Sequence, residues 1–148
     1  MTSRDRLTAL VADRINWTQW GAAIRRHGIT LDRPKGSTHP RHASIIYPID
    51  YGYINDTVGQ DGDEIDIFVG SAGTGLVGAI QTRDFRKGDE ELKFIFNCTP
   101  EEVYLVNGFI NYDRRLMEGV LLMRISLIEI SDIMRREDDD VFAPKRTR

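Results

Sequence analysis

Asp61, Asp63 and Asp66 crowd into the stretch DGDEID, directly before the apolar run IFV. Carboxylates this close repel one another, and each that loses water costs several kcal/mol unless a cation offsets it. If a strand begins near Ile65, Asp61 and Asp63 lie in the entering turn at Gly62. Asp66 then alternates with Ile65 and Ile67 and points away from them. Oxygen donors converging there suit Mg2+ or Mn2+, which take carboxylates and water. A solvated, Asx-rich turn accounts for the same spacing. A calcium EF-hand does not, because that loop needs Gly at its sixth position and Glu at its twelfth, where this chain has Asp66 and Ala72.

A second acidic stretch, TRDFRKGDEELKFIF, carries Asp84, Asp89, Glu90 and Glu91 and leads to Lys93. A charged hairpin turn is the plain explanation. In an extended strand, however, Glu91 and Lys93 share one face while Leu92 and Phe94 take the other, so a carboxylate and an ammonium point together. Such a pair can hold a metal and an anion. Further cations lie in the loop RPKGSTHPRHAS: Arg33, Lys35 and Arg41, with His39 and His42 beside them. Arginine offers a fork to phosphate oxygens and lysine a point charge, although an exposed loop with three cations is also unremarkable. GSAGTG at 70–75 lacks a following Gly-Lys-Ser/Thr, so no nucleotide P-loop is indicated.

The elements that must position these residues are short. Ser3 is placed to cap an amphipathic helix through Leu7, Leu10 and Val11. Asn16 is placed to cap another that bears Trp17, Trp20 and Ile24 and stops at Gly28. Strand-like runs follow at GITLD, SIIYPI, IDIFVG, LVGAIQT, ELKFIF and GVLLMRISLIEI, separated by Gly and Asp. They predict an antiparallel sheet curling towards a small barrel with a few flanking helices, a mainly β (α+β) fold. Pro34, Gly36 and Pro40 keep the basic loop irregular. Thr99, Pro100, Glu101 and Glu102 form a capping box opening a helix that carries Val103, Val106 and Phe109.

The totals fit a single domain spanning 1–148, with a helical segment over 1–28 and a frayed, charged tail over 137–148. A hydrophobic share of 41% and a charged share of 29% are those of a globular chain. The net charge of −3 gives no general attraction to nucleic acid or an anionic membrane, so an anionic ligand needs a local cluster of cations. Cys98 is the lone cysteine; it excludes an internal disulfide and fits a reducing, cytoplasmic setting. The first residues, MTSRDRLTALVADR, read as neither a secretion signal nor a membrane span.

YPIDYGYIND at 47–56 together with DGDEID at 61–66 resembles the signature of the soluble family I inorganic pyrophosphatases: Tyr-Pro, Tyr-Gly-Tyr and Asp-Gly-Asp-x-x-Asp at the same mutual spacing. LDRP at 31–34 is similar to that family's Asp-Arg step, and Asp84 with Glu91-Leu92-Lys93 to its later Asp and Asp-x-Lys. The form DRPKGSTHPRH looks like a compact bacterial branch. The resemblance implies an OB-like antiparallel β-barrel of about five strands with outer helices, and a multi-Mg2+ site at one end. It also implies a homo-oligomer. By position, Asp61, Asp66, Asp84 and Glu91 would be metal ligands and Asp63 would assist the attacking water. Arg33, Tyr51 and Lys93 would bind phosphate. Outside those matched positions, Lys35 or Arg41 is a cation available for the leaving phosphate.

The chain also departs from that pattern. Glu91 stands where Asp is usual, and the connection from Asp84 to Glu91 is longer. NWTQWGAAIRRHGIT lacks the family's N-terminal Glu and Lys-x-Glu, and Tyr112 precedes Asp113 where the family has Tyr-Lys. The function implied is Mg2+-dependent hydrolysis of inorganic pyrophosphate by a metal-activated water, Mn2+ being the other cation that fits. The alternatives are a hydrolase of an organic pyrophosphate, such as a nucleotide or sugar diphosphate, and a non-catalytic binding or assembly module that keeps the barrel. Neither a nucleic acid nor a membrane is an expected partner.

Overall fold

The computed structural model describes residues 14–59 and 62–142. Asp61, the helix expected after Ser3, and the tail from 143 onward lie outside the described residues. Helix α1, Trp17–His27, begins where Asn16 accepts a hydrogen bond from Gln19 N through its side chain, and it ends at Gly28. Six strands follow: β1 Ile29–Arg33, β2 Asp50–Ile54, β3 Asp66–Val69, β4 Leu76–Asp84, β5 Asp89–Phe96 and β6 Met117–Met123. Helices α2, Pro100–Ile110, and α3, Leu127–Phe142, flank β6 in sequence.

The sheet order is β1-β2-β3-β5-β4-β6. The expectation of about five strands in a wholly antiparallel barrel is corrected in two respects. The described sheet has six strands, and β3 pairs with β5 in parallel, Ile67 beside Phe94 and Val69 beside Phe96. The parallel pair arises because β4 forms a hairpin with β5 on that strand's other side, so β3 meets the remaining edge running in the same direction. Among the described residues β1 and β6 end the order, and no pairing between them closes a barrel.

Strand alternation divides the core in two. Tyr51, Phe68, Ile80 and Ile95 pack with Val103, Val106 and Ile110 of α2 and Ile130 of α3. Their sequence neighbours Ile67, Ala79 and Phe94 pack with Ile54 and with Ile24 of α1. The Trp20 ring lies 4.9 Å from that of Phe94. Gly52, between Tyr51 and Tyr53, has no room for a side chain, since a Cβ there would lie 1.9 Å from the Thr30 carbonyl oxygen of β1. That contact explains the Tyr-Gly-Tyr pattern: both tyrosines use one face, and the backbone between them abuts its neighbour.

Three expected elements change. SIIYPI joins no strand of the sheet, because Pro48 lacks a donor and Ile46 makes only an isolated bridge with Thr38. The run GVLLMRISLIEI divides into β6 and the start of α3, where Ser126 Oγ accepts from Glu129 N at 3.1 Å. Residues 137–142, expected to fray, continue α3. The capping box at α2 forms as expected, with Thr99 Oγ1 accepting from Glu102 N and the Glu102 carboxylate accepting from Thr99 N.

Candidate active site

Lys93 stands at the centre of one sheet face. Its side chain is 8% exposed, and its ammonium donates to Asp66 Oδ2 at 2.7 Å, Glu91 Oε2 at 2.9 Å and Tyr51 Oη at 2.9 Å. An ammonium has three donors, and here each meets an acceptor on β3, β5 or β2. Burial opposes the Lys93 charge, but Tyr51, Asp66 and Glu91 outweigh it and hold the pKa well above the ordinary lysine value. For the Tyr51 hydroxyl, burial is the leading influence and raises the pKa. Lys93 pulls it down and Asp66 pushes it up, and the net result is a hydroxyl that stays protonated far into alkali.

Register explains the convergence. Tyr51 pairs with Phe68, Ile80 with Lys93 and Thr82 with Glu91, so the side chains of Tyr51, Asp66, Glu91 and Lys93 emerge on the face that holds Phe68 and Ile95. Arg33, opposite Tyr51 across the β1–β2 ladder, donates to the Tyr47 hydroxyl. Its guanidinium lies 5.3 Å from the centre of the Tyr47 ring and 5.6 Å from that of Tyr51. Burial lowers the Arg33 pKa, but Tyr47, Tyr51 and Asp32 more than compensate and leave it raised. Tyr47 had no assigned role in the sequence reading; its signal was the Tyr-Pro step of the same motif.

The remaining candidates sit differently. Asp84 is buried in the β4–β5 turn, where its Oδ1 accepts from Arg86 N at 2.9 Å and Lys87 N at 3.1 Å. Asp63 is exposed in the turn before β3, its carbonyl accepting from Gly59 N, with Gly62 at φ +87°. Lys35 is exposed, and its backbone N–H donates to Asp50 Oδ1 at 2.8 Å. The structure therefore gathers Tyr51, Asp66, Glu91 and Lys93, with Arg33 against Tyr51. It turns the Asp84 carboxylate towards its own hairpin.

Among the described residues no three acidic, histidine or cysteine side chains gather closely enough to hold an ion unaided. The donor set nevertheless fits Mg2+, which is commonly bound through one or two carboxylates together with water and substrate phosphates. Asp66 and Glu91 supply two carboxylates whose oxygens meet at one ammonium, Lys93 supplies positive charge beside them, and the Arg33 guanidinium lies against the Tyr51 ring. Acids and bases on one half-buried face suit a metal–phosphate complex better than either ion alone.

The family model described as "Pyrophosphatase: Inorganic pyrophosphatase" matches residues 29–92, from the start of β1 into β5. Over those residues the chain is similar to the inorganic pyrophosphatase family. The matched segment holds Arg33, Tyr51, Asp66 and Glu91 and stops one residue short of Lys93. A pyrophosphatase-like fold extends further along the chain. The inorganic pyrophosphatase of Neisseria gonorrhoeae aligns at a TM-score of 0.52 and 15% identity, over 78% of this chain and 92% of that one. The enzyme of Helicobacter pylori aligns at a TM-score of 0.47 and 16% identity, over 74% and 91% respectively. No curated protein matches the sequence. Among the described residues no helix is long and apolar enough to cross a membrane.

Proposed function

We propose that the chain hydrolyses inorganic pyrophosphate with the help of Mg2+. The observation that carries this reading is that Asp66, Glu91 and Tyr51, all within the segment that matches the pyrophosphatase family, converge on Lys93, one residue beyond it. Asp66 and Glu91 would hold the metal together with Asp61, and Asp84 would join them once released from its hairpin contacts. When bound, Mg2+ supplies charge neutralisation and a more acidic water.

The chain's own groups do the rest. Arg33 and Lys93 bind and orient phosphoryl oxygens, Arg33 as a fork braced by Tyr47 and Lys93 as a point charge. The Tyr51 hydroxyl, kept neutral, donates to the same oxygens, and Lys35 adds an exposed charge from the loop. Asp63, on the exposed turn, takes the proton of the attacking water. Little covalent chemistry is asked of the protein, since phosphoryl transfer is dominated by positioning and charge stabilisation.

The same proposal includes a single pyrophosphatase-like domain, a homo-oligomer and a cytoplasmic setting. It also includes a sheet rolled towards an OB-like, partly open barrel, which the neighbouring order β1-β2-β3-β5-β4 supports. Phosphate release from pyrophosphate, measured with and without Mg2+, tests the activity. Release that needs Mg2+ is expected, and no release from pyrophosphate at saturating Mg2+ overturns it.

A further inference from the structure

The loop between β1 and β2 is an ordered hairpin. Gly36 N donates to Tyr47 O, Tyr47 N to Ser37 O and His39 N to Ile45 O, at 2.9, 3.0 and 2.9 Å. It presents two imidazoles whose ring centres lie 5.1 Å apart, His39 and His42. The backbone N–H of Arg41 donates to His39 Nδ1 at 3.0 Å, and the Arg86 guanidinium, from the β4–β5 turn, lies 3.1 Å from His42 Nε2.

These contacts fix the hydrogen-bonding character of the cluster. An imidazole nitrogen that accepts a hydrogen bond leaves the other ring nitrogen as the N–H donor. His39 therefore offers Nε2–H and His42 offers Nδ1–H, while Arg41 and Arg86 carry only donors. Burial first, and then the basic neighbours Arg33, His42, Arg86 and Arg41, hold the His39 pKa below the usual histidine value. The acids at the margin are Asp84, 3.9 Å from Arg86 Nε, and Asp50, which accepts from Lys35 N. Four donor-bearing side chains from two separate loops, with Arg33 near enough for its charge to act on His39, call for a ligand rich in acceptors and negative charge.

We propose that His39, Arg41, His42 and Arg86 form a second anion site, beyond Arg33, that receives the distal phosphoryl group of a substrate longer than pyrophosphate. The assignment rests on the hydrolase reading for its neighbour, since Arg33 is the group shared between the two sites. It defines the substrate class as a linear polyphosphate chain or its ester, held at one end by Lys93, Tyr51 and Arg33 and at the other by the histidine loop.

The test is a titration of the whole chain, in Mg2+-free buffer, with tripolyphosphate, pyrophosphate and inorganic phosphate. Calorimetry supplies affinities, and the imidazole resonances of His39 and His42 report occupancy. Tripolyphosphate should move both histidines saturably and bind roughly tenfold more tightly than pyrophosphate. Arg41→Gln and Arg86→Gln should each remove most of that advantage while leaving pyrophosphate affinity within about twofold. Silent histidines, equal affinity for the two anions, or variants that lose both affinities alike overturn the second site. Phosphate release from pyrophosphate separates the two readings: a histidine response without release sinks only the hydrolase, and release with silent histidines sinks only the second site.

Discussion

Lys93 Nζ lies 2.7 Å from Asp66 Oδ2, tying β5 to its parallel neighbour β3 across the centre of the sheet. The same nitrogen reaches Glu91 two residues away on its own strand. Two carboxylates thus share one buried cation, and its loss would remove the charge that holds them together. Lys93→Met should lower the unfolding free energy by about 3 kcal/mol, the lower end for a broken buried pair because Asp66 and Glu91 keep some contact with water. Urea unfolding measures it, and a loss below about 0.5 kcal/mol, the level of an ordinary surface substitution, would show that the pairing contributes little.

Asp63 and Asp66 have different proposed duties, so their amides should fail differently. Asp63→Asn is expected to cut turnover about a hundredfold or more while sparing Mg2+ affinity, as removal of a proton acceptor does. Asp66→Asn should weaken both, because it removes a proposed metal ligand and a partner of Lys93. Calorimetric Mg2+ titration beside phosphate release tells them apart. The same Mg2+ affinity in the native chain and both variants contradicts the division of roles.

Gly52 is held by geometry alone. A Cβ at this position meets the Thr30 carbonyl oxygen at 1.9 Å and Leu31 Cα at 2.9 Å, both backbone atoms of β1. Gly52→Ala must push β1 away from β2, and about 3 kcal/mol of destabilisation is expected, towards the upper range of overpacking. The urea midpoint should fall with little change in slope. An unchanged midpoint would mean that the two strands separate without cost.

Cys98 is buried beneath α2, and burial first, then the Glu102 carboxylate, push its thiol up to about 12 from 9.0. The folded state therefore favours the protonated thiol. Its contribution to stability is fully present below about pH 9 and is lost as pH rises towards 12. The stability difference between the native chain and Cys98→Ala should accordingly be flat to pH 9 and then shift against the native chain. Alkylation at pH 8 should proceed only in denaturant. Rapid labelling of the folded chain would contradict a buried thiol.

Much of this molecule was legible from local chemistry. Asn16 and Thr99 announced two helix starts because capping is a contact between residues three apart. Glu91 and Lys93 were placed on one face by strand alternation alone, and Asp66 was turned away from Ile65 and Ile67 in the same way. The capping pattern Ser126-Leu-Ile-Glu129 was also present in the chain. It was hidden by an apolar run, in which a strand and a helix look alike until a neighbour selects one face.

The sequence by itself determined which residues could bind a cation or a phosphate, and on which side of each strand they would stand, because both follow from side-chain chemistry and a two-residue period. Only the tertiary structure decided that β3 lies parallel to β5, that Lys93 bridges Asp66 and Glu91, that Asp84 serves its own turn, and that Arg86 meets His42. Those partners are separated in the chain, and their meeting depends on the free energy of the whole packed sheet, which no local spacing encodes.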